Sequence, residues 1–136
     1  MTAKNYFTTG FTELLILSIL KRGDSYVYDI IRTIEDYSGG RLTLSPNTVY
    51  TSAYKLEREG MMTEYSKLVG KKRTRIYYKI TVQGIVYLDE LMAQYKLAFD
   101  GITLFFEKMK EDSAVNAGSN GNGKNGTVGM DALINS

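Results

Sequence analysis

Apolar side chains recur at steps of three and four residues along one C-terminal stretch, and this spacing constrains the fold more than any other feature. From Leu88 the steps alternate regularly, which makes a heptad seam three repeats long. Its members are Leu88, Met92, Tyr95, Phe99, Ile102, Phe106 and Met109. A helix of about 28 residues would be roughly 42 Å long, and a chain of 136 residues is too small to cover such a stripe by itself. The spacing therefore predicts a dimerisation helix over residues 81–112, starting near Thr81, with a second copy covering the seam.

Three shorter helices are predicted upstream, because apolar residues recur there at helical spacing over residues 11–21, 26–37 and 46–59. Asp24 or Ser25 is expected to cap the second helix. Ser45 and Pro46 mark the start of the third, since a hydroxyl N-cap followed by proline is a strong start signal. Gly60 is expected to end it.

A β-hairpin is predicted after the third helix. Residues 61–69 and 75–80 alternate as strands do, and a glycine-containing loop over residues 70–74 joins them. In the second strand, one side is predicted to carry Ile76, Tyr78 and Ile80, and the other Arg75, Tyr77 and Lys79. Three helices followed by a hairpin is the order of a winged helix-turn-helix. We therefore predict a mainly α fold with a small β-hairpin, with the winged helix-turn-helix over residues 1–80.

The third helix has two contrasting faces. Val49, Ala53 and Leu56 fall on one side at 100° per residue and predict a core face. The opposite side is polar and partly basic, with Asn47, Thr51, Tyr54, Lys55 and Arg58. Such a face suits a helix that reads a DNA groove, and it is also typical of an ordinary solvated helix. The pattern alone leaves both interpretations open.

The hairpin carries the strongest charge asymmetry in the chain. Between Tyr65 and Leu88 there are six cations and no acid. They are Lys67, Lys71, Lys72, Arg73, Arg75 and Lys79. The rest of the chain sums to −4, because 17 − 6 = 11 basic residues face 15 acidic ones. Each cation that meets a phosphate releases condensed counterions, so the hairpin predicts salt-dependent attraction to DNA. A membrane surface fits less well, because the hairpin has no apolar edge to insert.

The composition argues against catalysis. The chain has no cysteine and no histidine, so thiolate nucleophiles, the commonest general base and the usual zinc ligands are missing. Phosphate loops and nucleophile elbows are absent as well. We predict that the protein is not an enzyme and uses no cofactor or metal. Residues 1–9 do not resemble a secretory signal and the longest apolar run is Leu14–Leu17, so a cytoplasmic protein without membrane contact is expected.

The composition changes again at Ser113. Residues 113–136 contain five glycines and five asparagines. This bias is typical of a disordered tail, which we predict over residues 113–136.

Five segments, in this order and spacing, resemble the PadR family of bacterial transcriptional regulators. They are Leu14–Leu17, Tyr28–Ile30, Ser45–Tyr50, Leu56–Met61, and Tyr77–Thr81 with Gly84. The resemblance covers residues 11–91. Within the family, the chain is similar to the short-tailed subgroup, whose dimer depends on a single C-terminal helix. Val27 and Ala53 depart from the family pattern, which usually has glycine and leucine at those positions.

The resemblance implies a DNA-binding homodimer that represses nearby genes until a small aromatic or lipophilic effector binds between its subunits. With the polar helix face and the basic hairpin, the expected DNA contacts are Asn47, Thr48, Tyr50, Thr51, Tyr54, Lys55, Arg58, Lys71, Lys72, Arg73 and Arg75. Tyr50 fits a core aromatic with its hydroxyl at the rim as well as it fits a phosphate contact. The expected dimer interface or effector pocket comprises Phe11, Leu88, Met92, Tyr95, Phe99, Ile102 and Phe106. A plain dimer core would account for the same residues.

Two functional hypotheses follow from the sequence. In the first, the third helix enters the major groove of double-stranded DNA, and the β-hairpin, which is the wing of the fold, contacts flanking phosphates. Two-fold symmetry then predicts a pseudo-palindromic operator with half-sites roughly 34 Å apart. In the second, the chain is a winged-helix protein-interaction module that uses the heptad seam for a partner helix and does not bind DNA.

Overall fold

The computed structural model describes residues 2–116 and, within them, the side chains of residues 11–115. The elements in chain order are α1 (Thr2–Arg22), α2 (Val27–Tyr37), α3 (Pro46–Arg58), β1 (Met62–Val69), β2 (Arg73–Ile80) and α4 (Val82–Asn116). The predicted order of three helices, a hairpin and a long last helix is confirmed. The fold is mainly α with one two-stranded antiparallel sheet among the described residues.

Two helices are longer than the sequence predicts. The first begins at Thr2 instead of Phe11, because no proline interrupts this stretch and Gly10 alone costs too little to end a helix. The last continues to Asn116, so the first four residues of the predicted tail are helical. The remainder of that tail, residues 117–136, lies outside the described residues.

Of the N-caps predicted for α2 and α3, one is confirmed and one is wrong. Ser45 caps α3, since its hydroxyl accepts a hydrogen bond from the Thr48 N–H at 3.2 Å. Neither Asp24 nor Ser25 caps α2, whose N-cap is Tyr26 and has no side-chain cap. The Ser25 backbone instead pairs with Tyr78 of β2, through N–H···O bonds of 3.2 and 2.8 Å, and this bridge ties the start of α2 to the hairpin.

The core lies between α1, α2 and α3. Ile16, Leu17 and Ile30 are completely or almost completely buried in it. The predicted core face of α3 is confirmed, because Val49, Ala53 and Leu56 all have 2% or less of their surface exposed. Each fully buried aliphatic side chain contributes about 1.5–3 kcal/mol to the free energy of unfolding. The packing therefore fixes which side of α3 faces outward.

The hairpin has a strict register that separates its two faces. Met62 pairs with Ile80, and Val69 with Arg73, so the turn is shorter than the predicted loop. The face that includes Met62 and Tyr78 lies on the core, where both side chains are buried. The other face carries the strand cations.

The first turn of α4 is fastened to the end of α3. The Thr81 hydroxyl donates to the Gly60 carbonyl at 2.7 Å and accepts from the Gly84 N–H at 3.0 Å, as expected of an N-cap. Gly60 adopts φ +80 after the helix end, a conformation that favours glycine. Gly84 is needed for close approach: a Cβ there would overlap the Met61 carbonyl oxygen and lie 2.7 Å from Ile80 Cγ1.

The chain divides into two units between Met92 and Ala93. The first includes the start of α4, because Leu88 is buried in the core and Leu91 packs against it. It therefore extends past residue 80, where the sequence predicted its boundary. In the second unit, the described part consists of the distal portion of α4.

Candidate nucleic-acid interface

The outward face of α3 presents most of the residues expected to contact DNA. Asn47, Thr51 and Arg58 are exposed, and Tyr50 is 49% exposed, too open for a core aromatic. Thr48 is only partly exposed, and its hydroxyl lies 3.0 Å from Ser45 Oγ at the helix cap. The Thr51 hydroxyl donates to the Asn47 carbonyl at 2.9 Å, which leaves its oxygen to accept.

Arg58 is held above a tyrosine on the same face. Its guanidinium carbon lies 5.5 Å from the centre of the Tyr54 ring, one helical turn earlier. A cation above the ring face is attracted by the aromatic quadrupole. This contact restricts the arginine while leaving its donors exposed, as a phosphate or base-edge contact requires.

Lys55 has a partner that sequence reasoning missed. Its Nζ lies 2.8 Å from Glu13 Oε2 on α1, and the other carboxylate oxygen accepts from the Tyr87 hydroxyl of α4 at 2.6 Å. The bond to Glu13, followed by burial, raises the pKa of Tyr87 to about 12. The carboxylate also raises the pKa of Lys55. Lys55 is 42 positions from Glu13 in the sequence, and Tyr87 is 74 positions from it. No local pattern could therefore have indicated these two contacts.

The wing cations are distributed between the tip and one face. Lys71, Lys72 and Arg73 at the turn are exposed. The register puts the strand cations on the outer face, away from the buried Tyr78: Lys67, Arg73, Arg75 and Lys79. Glu64 pairs with Tyr78 and therefore belongs to the opposite face. The acid-free stretch of sequence thus becomes an acid-free outer face of the described hairpin.

Acidic groups do occur on the inner side of the hairpin. Burial, and then the nearby Glu64 carboxylate, raises the pKa of Glu57 at the end of α3. Burial likewise raises the pKa of Tyr78 to about 12, with Glu64 a smaller cause. Because the register places Glu64 on the face opposite the strand cations, its charge does not interrupt the cationic outer face.

Three tyrosines form a row across the outer face of the wing. Tyr65 and Tyr77 are cross-strand partners, stacked with ring centres 5.8 Å apart. Tyr26 packs edge-on against Tyr77 at 5.4 Å, since the Ser25–Tyr78 bridge places it alongside. The alternation of β2 indicated that Tyr77 faces outward, but only the bridge to the start of α2 reveals the third ring.

The residues expected at the dimer interface differ in how far their side chains are exposed to solvent. The assignment of Leu88 to the dimer interface is wrong, because this side chain is 3% exposed and buried in the core of its own chain. The exposed part of the seam begins at Met92 and includes Ile102 and Phe106. Tyr95 and Phe99 form a tilted ring pair with centres 5.8 Å apart. Phe11 packs against the core of the first unit.

Within residues 2–116, no helix combines the length and apolar character that crossing a membrane requires. The same residues contain no group of three or more acidic side chains placed to hold a metal ion.

A model of the transcriptional regulator PadR-like family matches residues 16–90. The transcriptional regulator YqjI of Escherichia coli (strain K12) is 32% identical over 94 residues, which are 69% of this chain and 44% of YqjI. The chain thus spans less than half the length of that relative. Uncharacterized protein X of Lysinibacillus sphaericus is 28% identical over 101 residues, 74% of this chain and 93% of its own length.

Solved structures with the same fold are also similar in sequence. A transcriptional regulator from Clostridium thermocellum has a TM-score of 0.68 and 29% identity, covering 73% of this chain and 96% of its own. A PadR family transcriptional regulator from Eggerthella lenta has a TM-score of 0.68 and 26% identity, covering 78% of this chain and 90% of its own.

Proposed function

Because the chain belongs to the PadR-like family of transcriptional regulators, we propose that it represses genes by binding double-stranded DNA as a homodimer. In this proposal α3 enters the major groove and the wing holds flanking phosphates. The observation that carries it is the tip of the wing, where Lys71, Lys72 and Arg73 follow one another and are all exposed. Cations arranged in this way attract the phosphate backbone independently of sequence.

Base readout is assigned to the outward face of α3. Asn47 and Arg58 are exposed there, and asparagine and arginine side chains bond to adenine and guanine edges respectively. Tyrosine and threonine hydroxyls on the same face are suited to phosphate oxygens. Lys55 can join them only if it leaves Glu13, so we assign it no contact in the resting state.

Dimerisation is assigned to the exposed seam of α4 from Met92 to Met109. Met92, Ile102 and Met109 are 51%, 50% and 52% exposed. A second seam would remove this apolar surface from water. A two-fold symmetric dimer would bind a pseudo-palindromic operator, with half-sites about one helical turn of DNA, roughly 34 Å, apart.

Release from DNA is assigned to a small aromatic or lipophilic effector. Tyr95 and Phe99 support this assignment, because their tilted ring pair on α4 offers edges and faces on which a flat apolar compound can stack.

The proposal is tested by salt titration of DNA binding. The probe is a fluorescein-labelled duplex from the region upstream of the gene, and the variant is K71Q/K72Q/R73Q. Because each lost phosphate contact lowers the slope of log affinity against log salt by about 0.9, the slope should fall by up to about 2.7. The matched control, K96Q/K108Q/K110Q, removes three exposed lysines from α4 and should leave the slope unchanged. Equal slopes for the wing variant and the wild type would contradict a phosphate-binding wing.

A further inference from the structure

Lys67 and Arg75 are direct cross-strand partners on the outer face of the hairpin. Like charges directly opposite each other destabilise a strand pair. Among the described residues, no ion pair includes either side chain. The hairpin therefore holds two uncompensated cations side by side, an arrangement that a bound anion would relieve.

Each of these cations lies over a tyrosine ring. The Arg75 guanidinium carbon is 4.1 Å from the centre of the Tyr26 ring, and Lys67 Nζ is 5.1 Å from the centre of the Tyr77 ring. The rings restrict the long side chains while leaving their donors free. Less conformational entropy is then lost when the pair takes up a ligand.

The tyrosine row is itself anchored at both ends. At one end the Tyr65 hydroxyl donates to Asp24 at 2.7 Å. At the other, the backbone bridge between Ser25 and Tyr78 fixes the position of Tyr26. Asp24 thus accepts from the hydroxyl of Tyr65, whereas the two cations lie over the rings of Tyr77 and Tyr26.

The start of α2 adds positive potential beside Arg75. Tyr26 is the N-cap of this helix and provides no side-chain cap, so its side chain does not offset the partial positive charge at the helix N-terminus. The acid in this first turn is Asp29, which accepts from the Ser25 hydroxyl at 3.0 Å and pairs with Arg32 at 3.0 Å. Its charge is therefore balanced locally, and the neighbourhood of Arg75 stays cationic.

We propose that Lys67 and Arg75 together bind one backbone phosphate of the DNA duplex, as a second contact separate from the tip of the wing. The planar donors of arginine and the point charge of lysine are both suited to phosphate oxygens. Tyr26 and Tyr77 act as positioning residues for this pair. The inference depends on the proposed function, since it extends the surface that meets DNA from the tip to the body of the hairpin.

The test is the salt slope of duplex binding for K67Q/R75Q, measured with the same labelled duplex between about 50 and 200 mM salt. Loss of two cations at one phosphate should reduce the slope by about 0.9 and weaken binding. Y26L keeps both charges but removes the ring beneath Arg75, so it should weaken binding severalfold with little change in slope. Y26F retains the ring and should bind like the wild type. If K67Q/R75Q is poorly folded by circular dichroism, K67Q alone, at an exposed position, provides the same comparison.

The outcomes separate this inference from the proposed function. Absence of duplex binding by the wild type would overturn both. Wild-type binding that the tip variant weakens, while K67Q/R75Q and K67Q leave affinity and slope unchanged, would overturn the second contact alone. Inorganic phosphate at constant ionic strength should not displace the duplex, because it offers a single contact. Saturable displacement by it would identify a small-anion site and overturn the assignment to the DNA backbone.

Discussion

The Lys55 ammonium on α3 and the Glu13 carboxylate on α1 lie 2.8 Å apart, although 42 positions separate them in the sequence. Glu13 is 18% exposed and Lys55 50%, so the pair lies at the edge of the outward face of α3. The same carboxylate bonds to Tyr87 near the start of α4. The Glu13 carboxylate thus restrains Lys55 on α3, the helix that we assign to the DNA groove. Removing the carboxylate would free the lysine on the outward face of this helix.

The isosteric change E13Q is expected to strengthen duplex binding. Without the carboxylate, Lys55 is free to meet a phosphate, and the salt slope should become steeper by up to about 0.9. Titration of the labelled duplex over a salt series measures both quantities. E107Q, at an exposed acid on α4, is the matched control for the loss of one negative charge. If E13Q and E107Q bind with the same slope, Glu13 does not restrain Lys55.

The Tyr87–Glu13 hydrogen bond makes the stability of the protein sensitive to alkali. The pKa of Tyr87 is raised from 10.0 to about 12 in the folded chain. The resulting stabilisation is complete below pH 10 and is lost as pH rises towards 12, because the unfolded chain releases the proton first. Y87F should lower the free energy of unfolding at neutral pH by about 1–2 kcal/mol. Between pH 10 and 12, the free energy of unfolding of Y87F should then fall less than that of the wild type.

Urea unfolding at a series of pH values measures this effect, and tyrosinate absorbance follows the titration itself. Y28F is the control, at a tyrosine that is 60% exposed. Identical alkaline losses for Y87F and the wild type would show that another group is responsible, and Tyr78, whose pKa is also about 12, would then be the candidate.

Two glycines of α4 are expected to respond in opposite directions to alanine. G84A introduces a Cβ that overlaps the Met61 carbonyl oxygen, so it should lower the free energy of unfolding by about 1–3 kcal/mol or more. At Gly101 a Cβ meets nothing within 4 Å in the same chain, and alanine is the better helix former by up to about 1 kcal/mol. Chemical unfolding of both variants measures the difference. A neutral G84A would contradict the close contact between α4 and the end of α3.

The seam of α4 predicts which apolar residues control the oligomeric state. Ile102 lies on the seam and Leu104 on the opposite side of the helix, and they are 50% and 66% exposed. I102D should raise the dissociation constant of the dimer at least about a hundredfold, which is about 2.8 kcal/mol, because its charge would be buried between two seams. L104D should remain dimeric. Sedimentation equilibrium measures both, and a monomeric wild type would contradict the proposed dimer.

The sequence was sufficient for much of the fold because its signals are local. The hydroxyl and proline of Ser45–Pro46 start α3 where the structure has it, and three apolar residues at helical spacing define its core face. Leu88 was misassigned because periodicity identifies an apolar stripe without indicating whether the same chain or a second one covers it. Residues 82–92 continue the pattern of the distal helix, yet Leu88 packs into the core.

The candidate interface was less predictable, since its decisive contacts join distant segments. Spacing cannot reveal that Glu13 restrains Lys55, or that Tyr26 lies beneath Arg75, because each contact depends on how two elements pack. The basic hairpin was evident from composition alone. Its division into a tip and an outer face required the register of the strands.

The most direct measurement is the affinity of the wild-type protein for a duplex from its own upstream region, compared with an unrelated duplex of equal length in the same salt. We expect the upstream duplex to bind at least about a thousandfold more tightly, with the affinity for both duplexes falling as salt is raised. Failure to bind either duplex at low salt would contradict DNA binding by α3 and the wing, and would favour a winged-helix module that binds another protein.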